Sequence, residues 1–347
     1  EVLLLDIVPK KLTEKEESMN LTIADTIVRN RIVNNCLNTA LKSKPSPIYK
    51  QEFASRIQTG NLEDDIHKIK NVDWIMEVVV EKLEVKKQVF ELVEKFRSPG
   101  TLITSNTSGI PIKYMNEGRS KDFQENFAVT HFFNPPRYLK LFEIVPGPSC
   151  KKEIVDFLLI YGEKFLGKTS VLAKDTPAFI GNRIGVMSGS EMTILTEKYN
   201  FRVEEVDALT GTLIGRPNTA TFRLQDLVGL DTSDKVSRFV IQNVKGDRYV
   251  DKLKERPMPK FMNFLLEHNF LGNKTGKGFY EKTSKKDEKG KSIINVLNLE
   301  SLEYEPSIRP KMEIIKMAKG MELMNKRLQY LVEGDSKEHH FFKEYFL

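Results

Sequence analysis

The sequence opens with EVLLLD at residues 1–6, an apolar run that ends in a carboxylic acid. Short apolar runs bounded by polar residues are typical of strands that are buried on both faces of a parallel sheet. Further runs of this kind lie at 74–80, 102–104 and 127–130. Between these runs, apolar residues recur at helical spacing, as they do at 26–42 and 85–96. Strands that alternate with helices predict an α/β fold with a parallel, doubly wound sheet.

The pattern changes after Lys174. Between Asn182 and about Phe270, helical periodicity dominates and strand signals are few. The simplest interpretation is a second domain that is all-α. We therefore predict a sheet domain at 1–175, a helical domain at 176–280, and a linker with the start of a further helical region at 281–347.

The composition limits the class of protein. Hydrophobic residues make up 40% and charged residues 29% of 347 residues, which is typical of a folded chain with more than one domain. No run of about 18 apolar residues occurs, so we predict no membrane span. Two cysteines exclude a disulfide scaffold and a Cys-rich zinc site, and they favour a reducing, cytoplasmic compartment. Lys and Arg exceed Asp and Glu by only 54 to 48, so we predict no nucleic-acid partner.

Asp6 indicates a particular kind of sheet. In dinucleotide-binding folds the second strand ends in an acid that accepts hydrogen bonds from the adenosine ribose, about 20 residues beyond a Gly-rich phosphate loop. Only five residues precede Asp6, and no G-x-G-x-x-G motif occurs elsewhere. We therefore expect a Rossmann-type sheet that lacks its first strand and its Gly-rich loop. The alternative is that Asp6 merely caps a turn or a helix.

Polar clusters follow two of the predicted strands. SNTS at 105–108 supplies small hydrogen-bonding side chains at the carboxyl end of a strand, where open α/β sheets bind ligands. Its alternative role is a helix cap. His131 also follows a predicted strand, and Glu143 comes twelve residues later in an apolar stretch. An imidazole paired with a carboxylate can act as a general base near neutral pH. No pair among the five histidines has convincing metal spacing, so we predict no metal site.

A third cluster, KDTPAFIGNR at 174–183, lies where the sheet pattern gives way to the helical one. Pro177 is suited to the first turn of a helix, which would place Asn182 about one and a half turns inside it. Small-molecule sites tend to lie at such a domain junction, where a buried amide can orient a polar substrate oxygen. The alternative is a structural hydrogen bond between the domains.

Taken together, these segments resemble the L-3-hydroxyacyl-coenzyme A dehydrogenase family. The strings occur in family order over residues 1–280: EVLLLD, EVVVEKLEVKKQVF, SNTSGIPI, HFFNPP-x4-LFEIVPG, KDTPAFIGNR, RPNTATFRLQDLVGLD and GNKTGKGFY. RPNTATFRLQDLVGLD looks most like the bacterial multifunctional type, in which an enoyl-coenzyme A hydratase domain is linked to the dehydrogenase. The resemblance therefore implies a fragment that is truncated at both ends.

The resemblance implies NAD-dependent oxidation of an (S)-3-hydroxyacyl-coenzyme A to the 3-oxoacyl thioester in fatty acid β-oxidation. His131 matches the family's general base and Glu143 its orienting carboxylate. Ser108 and Asn182 match residues that hold the substrate hydroxyl and carbonyl. The positions that match the cofactor site are Asp6, Glu81, Lys86, Ser108, Asn134 and Lys274. Arg31 and Lys42 fall in the helical segment that approaches the coenzyme A phosphates in the family.

The resemblance also implies an acyl-coenzyme A thioester as the substrate partner and, by analogy alone, a homodimer. Two other functions stay open. One is a different NAD-linked hydroxy acid dehydrogenase, although such enzymes usually employ a lysine as the base. The other is an inactive fragment that acts only as a binding module.

Overall fold

The computed structural model describes residues 1–286 and 288–347. The chain divides into two compact units, Glu1–Ile180 and Gly181–Leu347. The junction therefore lies after residue 180, whereas the sequence places the first domain boundary after residue 175. The domain assignments at 1–175, 176–280 and 281–347 stay predictions.

The first unit alternates strands with helices, as the hydrophobic pattern predicts. Its strands are β1 Val2–Asp6, β2 Ile57–Asn61, β3 Trp74–Glu77, β4 Leu102–Ser105, β5 Phe127–Phe132, β6 Leu141–Pro146 and β7 Thr169–Leu172. Its α-helices are α1 Glu14–Ser18, α2 Thr26–Arg29, α3 Arg31–Lys42, α4 Leu83–Phe96, α5 Ile112–Asn116, α6 Lys121–Glu125 and α7 Lys152–Lys164. Two 3₁₀ helices span Gln51–Arg56 and Ile66–Asn71. The sequence pattern did not predict β2, β6 and β7.

The strands form two sheets. β1 and β2 make a parallel pair, and the other five strands make a sheet in the order β3-β4-β5-β6-β7. β6 runs antiparallel to β5, so the predicted parallel sheet has one antiparallel pair. The physical reason is the connection at 133–140, which is too short for the crossover that a parallel pair needs. The predicted α/β class is confirmed, with a mostly parallel sheet.

One hydrophobic core joins the two sheets. Leu3 and Leu5 from β1 pack in the same cluster as Ile75 and Ile103 from the larger sheet. Burying such side chains stabilises a fold by roughly 1.5–3 kcal/mol each. Within the described residues, β1 is hydrogen-bonded to β2 alone and β3 to β4 alone. The two sheets therefore share a core without being hydrogen-bonded to each other. Among the described residues, β1 and β3 are edge strands of these sheets.

The predicted helix at 26–42 is divided in two. Asn30 ends α2 with φ −97° and ψ 8° and is also the residue that precedes α3. α3 still presents its predicted apolar face, with Val33 buried. The predicted strand at 74–80 stops at Glu77, because the Glu77 carboxylate accepts a hydrogen bond from the backbone N–H of Val79 and turns the chain.

The second unit is mainly helical, which confirms the predicted helical domain. It begins with α8 Gly181–Lys198, α9 Val203–Thr210, α10 Phe222–Val228, α11 Leu230–Asn243, α12 Arg248–Glu255 and α13 Lys260–Glu267. A three-stranded antiparallel sheet follows, with β8 Tyr280–Lys286, β9 Ser292–Leu297 and β10 Tyr304–Pro306. It ends with α14 Glu313–Lys319, α15 Met324–Glu333 and α16 Lys337–Phe346.

Residues from both ends of the second unit share one core. Leu195 of α8 and Phe222 of α10 pack in the same cluster as Val296 of β9 and Phe341 of α16. The stretch that the sequence interprets as a linker and a new helical region therefore contributes strands and helices to this core. Within the described residues, no helix combines the length and apolarity that crossing a bilayer requires.

Candidate active site

His131 and Glu143 form the centre of the site. They are register partners in the antiparallel pair of β5 and β6, so their side chains project from the same face of the sheet. His131 Nδ1 lies 2.6 Å from Glu143 Oε2, and the two residues are 4% and 0% exposed. A carboxylate accepts hydrogen bonds, which assigns the proton to Nδ1 and leaves the lone pair on Nε2. The pair is thus oriented to take up a proton at Nε2.

Ser108 lies on the other side of the imidazole. Its Oγ is 3.3 Å from His131 Nε2. Ser108 belongs to the loop after β4, and β4 pairs in parallel with β5, so the two chain segments leave the sheet at the same edge. The structure therefore brings three predicted residues into one line, from the Ser108 hydroxyl through the His131 ring to the Glu143 carboxylate.

Phe179 and Ile180, the last residues of the first unit, also contact the site, which the sequence did not indicate. The backbone N–H of Ile180 donates to Glu143 Oε1 at 2.9 Å, so both carboxylate oxygens are engaged. The Phe179 and Phe133 rings contact the His131 ring edge-on, with centroids 5.7 and 4.5 Å from it. These aromatic rings shield the imidazole from water.

The predicted helix opening at Pro177 is wrong. Ala178 and Phe179 have positive φ angles of 63° and 49°, which a right-handed helix cannot accommodate. α8 therefore begins at Gly181, and Asn182 is its second residue. Strained backbone of this kind concentrates at functional sites, where the surrounding structure holds it in place.

Glu81 and Lys86 lie under the Ser108 loop. Lys86 is 1% exposed, and its Nζ lies 2.9 Å from Glu77 Oε1 and 3.2 Å from Glu81 Oε2. Glu81 Oε1 accepts the backbone N–H of Ser108 at 3.0 Å. Lys86 is thus enclosed by protein, whereas the Glu81 side chain remains 45% exposed. Sequence reasoning missed Glu77, although an acid at the end of a buried strand is an unusual residue that marks such a site.

Asp6 and Asn134 lie at strand ends. Asp6 is the last residue of β1, and its Oδ1 accepts the backbone N–H of Ile7 at 2.7 Å. Its Oδ2 accepts no hydrogen bond from any described residue. Asn134 is exposed just after β5. Both side chains are available to a ligand.

Arg31 and Lys42 lie at opposite ends of α3. The Arg31 guanidinium is paired with the Glu16 carboxylate and also donates to the Lys11 carbonyl at 2.9 Å. Lys42 is exposed at the last position of the helix. Arg31 is therefore already engaged within the fold, and a coenzyme A contact stays a prediction for both residues.

Lys274 and Asn182 belong to the second unit. Lys274 is paired with the Asp231 carboxylate of α11. The surrounding loop folds around Asp226, whose carboxylate accepts the N–H groups of Phe279 and Tyr280 at 2.9 Å each. A Cβ on Gly272 would collide with the Asp226 backbone, so the motif's first glycine is required by packing. The roles of Lys274 and Asn182 at the site stay predictions.

A cavity of about 710 Å³ opens between α9 and α14 in the second unit. It is lined by exposed basic side chains that include Lys311, Lys316 and Lys319. None of the predicted site residues lines it. Exposed lysines around an open groove are ordinary solvated surface, so we place the candidate chemistry at His131 and not here.

Comparison with known families identifies the family of the chain. Residues 1–176 match the family model described as 3-hydroxyacyl-CoA dehydrogenase, NAD binding domain. Residues 179–282 match the C-terminal domain of the same family. The chain belongs to the 3-hydroxyacyl-CoA dehydrogenase family.

Individual members of the 3-hydroxyacyl-CoA dehydrogenase family agree with this. A probable 3-hydroxyacyl-CoA dehydrogenase of Bacillus subtilis is 47% identical over 332 residues, which cover 95% of this chain and 41% of that protein. A putative fatty acid oxidation complex trifunctional enzyme of Rickettsia prowazekii is 34% identical over 80% of this chain and 38% of its own length. The chain thus spans about two fifths of the length of these two relatives.

A solved structure supports the fold. The 3-hydroxybutyryl-CoA dehydrogenase of Escherichia coli superposes with a TM-score of 0.58 at 26% identity, covering 82% of this chain and 55% of that one. A Rossmann-like domain followed by a helical domain is therefore the architecture that this chain shares with the 3-hydroxyacyl-CoA dehydrogenases.

NAD is the cofactor of this domain family, and two acidic residues of the chain are suited to its nucleoside part. Asp6 Oδ2 is free to accept a ribose hydroxyl, and the exposed Glu81 lies beside Ser108 at the neighbouring strand end. A ribose donates its hydroxyl protons, so carboxylates at strand ends supply the acceptors that a nucleoside requires. These residues fit the nucleoside part of NAD.

Proposed function

We propose that the protein oxidises (S)-3-hydroxyacyl-coenzyme A thioesters to 3-oxoacyl-coenzyme A, with NAD as the acceptor, as a step of fatty acid β-oxidation. The observation that carries the proposal is the buried line from Ser108 Oγ through His131 to Glu143, in a chain of the 3-hydroxyacyl-CoA dehydrogenase family. An alcohol that loses a hydride must also lose its hydroxyl proton, and His131 at the middle of this line is a base for that proton.

His131 acts as the general base. Its Nδ1–H donates to Glu143, which leaves Nε2 to receive the proton of the substrate hydroxyl. NAD supplies the hydride acceptor when it is bound. Glu143 is 0% exposed and already holds the ring, so it stabilises the imidazolium as soon as the proton arrives.

The neighbouring groups fix the geometry of proton transfer. Ser108 Oγ lies within reach of both Nε2 and a hydroxyl placed there, so it orients the reacting oxygen. Phe133 and Phe179 keep water from competing for the imidazole. We assign Asn182 to the substrate carbonyl on the motif match alone. General base catalysis contributes about 10²- to 10⁴-fold, and alignment of the reactants must contribute the rest.

The first test replaces the base. In the full natural protein, His131→Gln should lower kcat by at least about 10²-fold, because glutamine cannot take up the proton. KM for the thioester should change little. NADH formation from 3-hydroxybutyryl-coenzyme A measures both quantities. His67→Gln, an exposed histidine of the same unit, is the matched control and should leave kcat unchanged. Near-normal turnover of His131→Gln would remove His131 from this role.

A substrate panel tests the reaction itself. Coenzyme A thioesters of 3-hydroxy acids should be oxidised, and the corresponding free hydroxy acids should not. Oxidation of the free acids at a similar kcat/KM would favour a different hydroxy acid dehydrogenase. Absence of NADH from every substrate would favour a binding module. A linked enoyl-coenzyme A hydratase domain, a homodimer and a cytoplasmic location stay predictions.

A further inference from the structure

We infer that Glu77 is a positioning residue for this reaction, which holds the Ser108 loop against His131 through the buried Lys86–Glu81 pair. The inference rests on the proposed function. Glu77 contacts none of Ser108, His131 and Glu143 directly, so it must act through the groups that it binds.

Glu77 is buried and fully engaged. It is the last residue of β3 and is 3% exposed. Its Oε1 accepts Lys86 Nζ at 2.9 Å and the Val79 N–H at 2.6 Å. Its Oε2 accepts Lys86 Nζ at 3.0 Å and the Ser105 hydroxyl at 2.5 Å. A carboxylate is rarely buried without such partners, because transfer out of water costs several kcal/mol; here four contacts from three different segments hold it.

The chain of contacts continues to the serine. Lys86 Nζ, fixed by Glu77, also lies 3.2 Å from Glu81 Oε2. The other oxygen of Glu81 accepts the Ser108 backbone N–H at 3.0 Å and the Thr107 hydroxyl. Glu77 and Glu81 thus share one ammonium group. Glu81 would otherwise be a half-exposed side chain with freedom to rotate.

A second path reaches the histidine strand. The backbone C=O of Glu77 accepts the Asn106 N–H at 2.9 Å. The Asn106 side-chain oxygen in turn accepts the N–H of Phe132, the residue after His131, at 2.9 Å. Asn106, at the start of the loop that carries Ser108, is thus tied both to the backbone of Glu77 and to the strand that carries His131.

The loop that carries Ser108 needs side-chain contacts to keep its position. Between β4 and α5 the chain has no regular hydrogen-bond ladder, so side chains must hold it. Ser108 Oγ lies 3.3 Å from His131 Nε2, at the long end of hydrogen bonding. A small displacement would break that contact, and displacement of a reacting group by about 1 Å can cost 10²-fold in rate.

The experiment uses Glu77→Gln in the full natural protein. Glutamine keeps the size of the side chain but removes the charge that orients Lys86. We expect kcat to fall by about 10²-fold while KM for the thioester changes little, since Glu77 does not touch the thioester. KM for NAD should rise, because Glu81 and Lys86 are predicted cofactor residues and lose their fixed positions. Hydrogen exchange of the ligand-free protein supplies a second readout, in which the Ser108 amide should exchange faster because its acceptor Glu81 is released.

A second variant guards against a folding failure. Glu77→Gln leaves the Lys86 ammonium partly uncompensated, whereas Glu77→Gln with Lys86→Gln replaces the pair by two neutral amides. The double variant should recover thermal stability but keep the low kcat. Recovery of wild-type kcat together with stability would show that Glu77 serves only the fold, and would overturn the inference.

Glu94→Gln is the matched control. Glu94 is a partly buried acid of the same unit that pairs with Arg119 at 3.1 Å and accepts the Ser120 N–H at 2.7 Å. It should lower stability and leave kcat unchanged. Wild-type kcat in folded Glu77→Gln would overturn the positioning role while the proposed function stands. Failure of the proposed function is a separate result, namely an active wild type whose His131→Gln variant keeps its turnover.

Discussion

Burial beside a carboxylate distinguishes His131 from the other four histidines. Of five histidines, it alone pairs with a fully buried carboxylate within the described residues. His268 contacts the backbone carbonyl of Phe264, and His339 contacts Ser336 at the start of α16. The histidine and the acid could be chosen from the sequence because each stands in an apolar stretch, where a charged group needs a partner.

Asp6 should set the preference for NAD over NADP. Its free Oδ2 is placed to accept a ribose hydroxyl, whereas the 2′-phosphate of NADP would meet a carboxylate of like charge. Loss of a charge-assisted hydrogen bond costs about 1.5–3 kcal/mol, and the exposed Lys10 and Lys11 offset roughly 0–1 kcal/mol. We expect a preference of about tenfold or more, since roughly 1.4 kcal/mol is a factor of ten.

The ratio of kcat/KM for the two cofactors, in the wild type and in Asp6→Ala, decides this. Glu14→Ala removes an exposed carboxylate of α1 and should leave the ratio unchanged. Equal use of NADP by the wild type, or the same ratio in Asp6→Ala, would mean that Asp6 is not the ribose-binding acid.

Single elements depend on partners that are far away in the sequence. Asp226 belongs to α10, and its carboxylate holds the start of β8 through the N–H groups of Phe279 and Tyr280. Asp207 of α9 accepts the N–H groups of Thr221 and Phe222 and the Tyr280 hydroxyl. Two buried carboxylates therefore connect α9, α10 and β8, which explains why these short elements keep their places.

The Asp226 carboxylate predicts an unusual pH dependence. Burial raises its pKa to about 6, and the neighbouring Asp207 adds to the rise. Between about pH 6 and pH 4 the folded state binds a proton that the unfolded chain does not, so this group stabilises the fold as the pH falls. From pH 7 to pH 5 the wild type should gain about 1 kcal/mol over Asp226→Asn in the free energy of unfolding.

Denaturant unfolding of both proteins at several pH values checks this difference. Asp247→Asn is the control, because Asp247 also accepts two backbone N–H groups, while its contact with Arg183 keeps its pKa below the usual range. The difference between wild type and Asp247→Asn should stay constant from pH 5 to 7. A constant difference for Asp226→Asn as well would contradict the raised pKa.

At the scale of the molecule, the core of the second unit extends well beyond the matched family domain. The family model ends at residue 282, but fully buried side chains that complete the core come later, from Val296, Leu331, Phe341 and Phe342. We expect a fragment of residues 181–347 to fold cooperatively by itself and a fragment of residues 181–282 to lose cooperative unfolding. Deleting a buried aromatic side chain alone costs about 3–5 kcal/mol.

Thermal unfolding followed by circular dichroism compares the two fragments. Phe341→Ala in the longer fragment should lower its stability strongly, whereas Phe346→Ala on the same helix, where the side chain is 42% exposed, should change it little. A cooperative transition in the 181–282 fragment at the same temperature would show that residues 283–347 are dispensable for this core.

The sequence by itself determined what depends on neighbouring residues. The apolar runs predicted β1, β4 and β5, and the helical spacing predicted α4, because one face of each element must be buried. The family strings and the isolated polar residues in apolar stretches predicted His131 and Glu143 as a pair.

Tertiary structure decided what depends on contacts between distant segments. It set β6 antiparallel, placed the left-handed turn at Phe179 that starts α8 late, and enclosed Lys86 with Glu77. It also packed Phe341 of α16 into the same core as Leu195 of α8. Periodicity reports only which face of an element is buried. The partner of a buried charge and the direction of a strand follow from satisfying hydrogen bonds and filling space in three dimensions, and a local pattern does not carry that information.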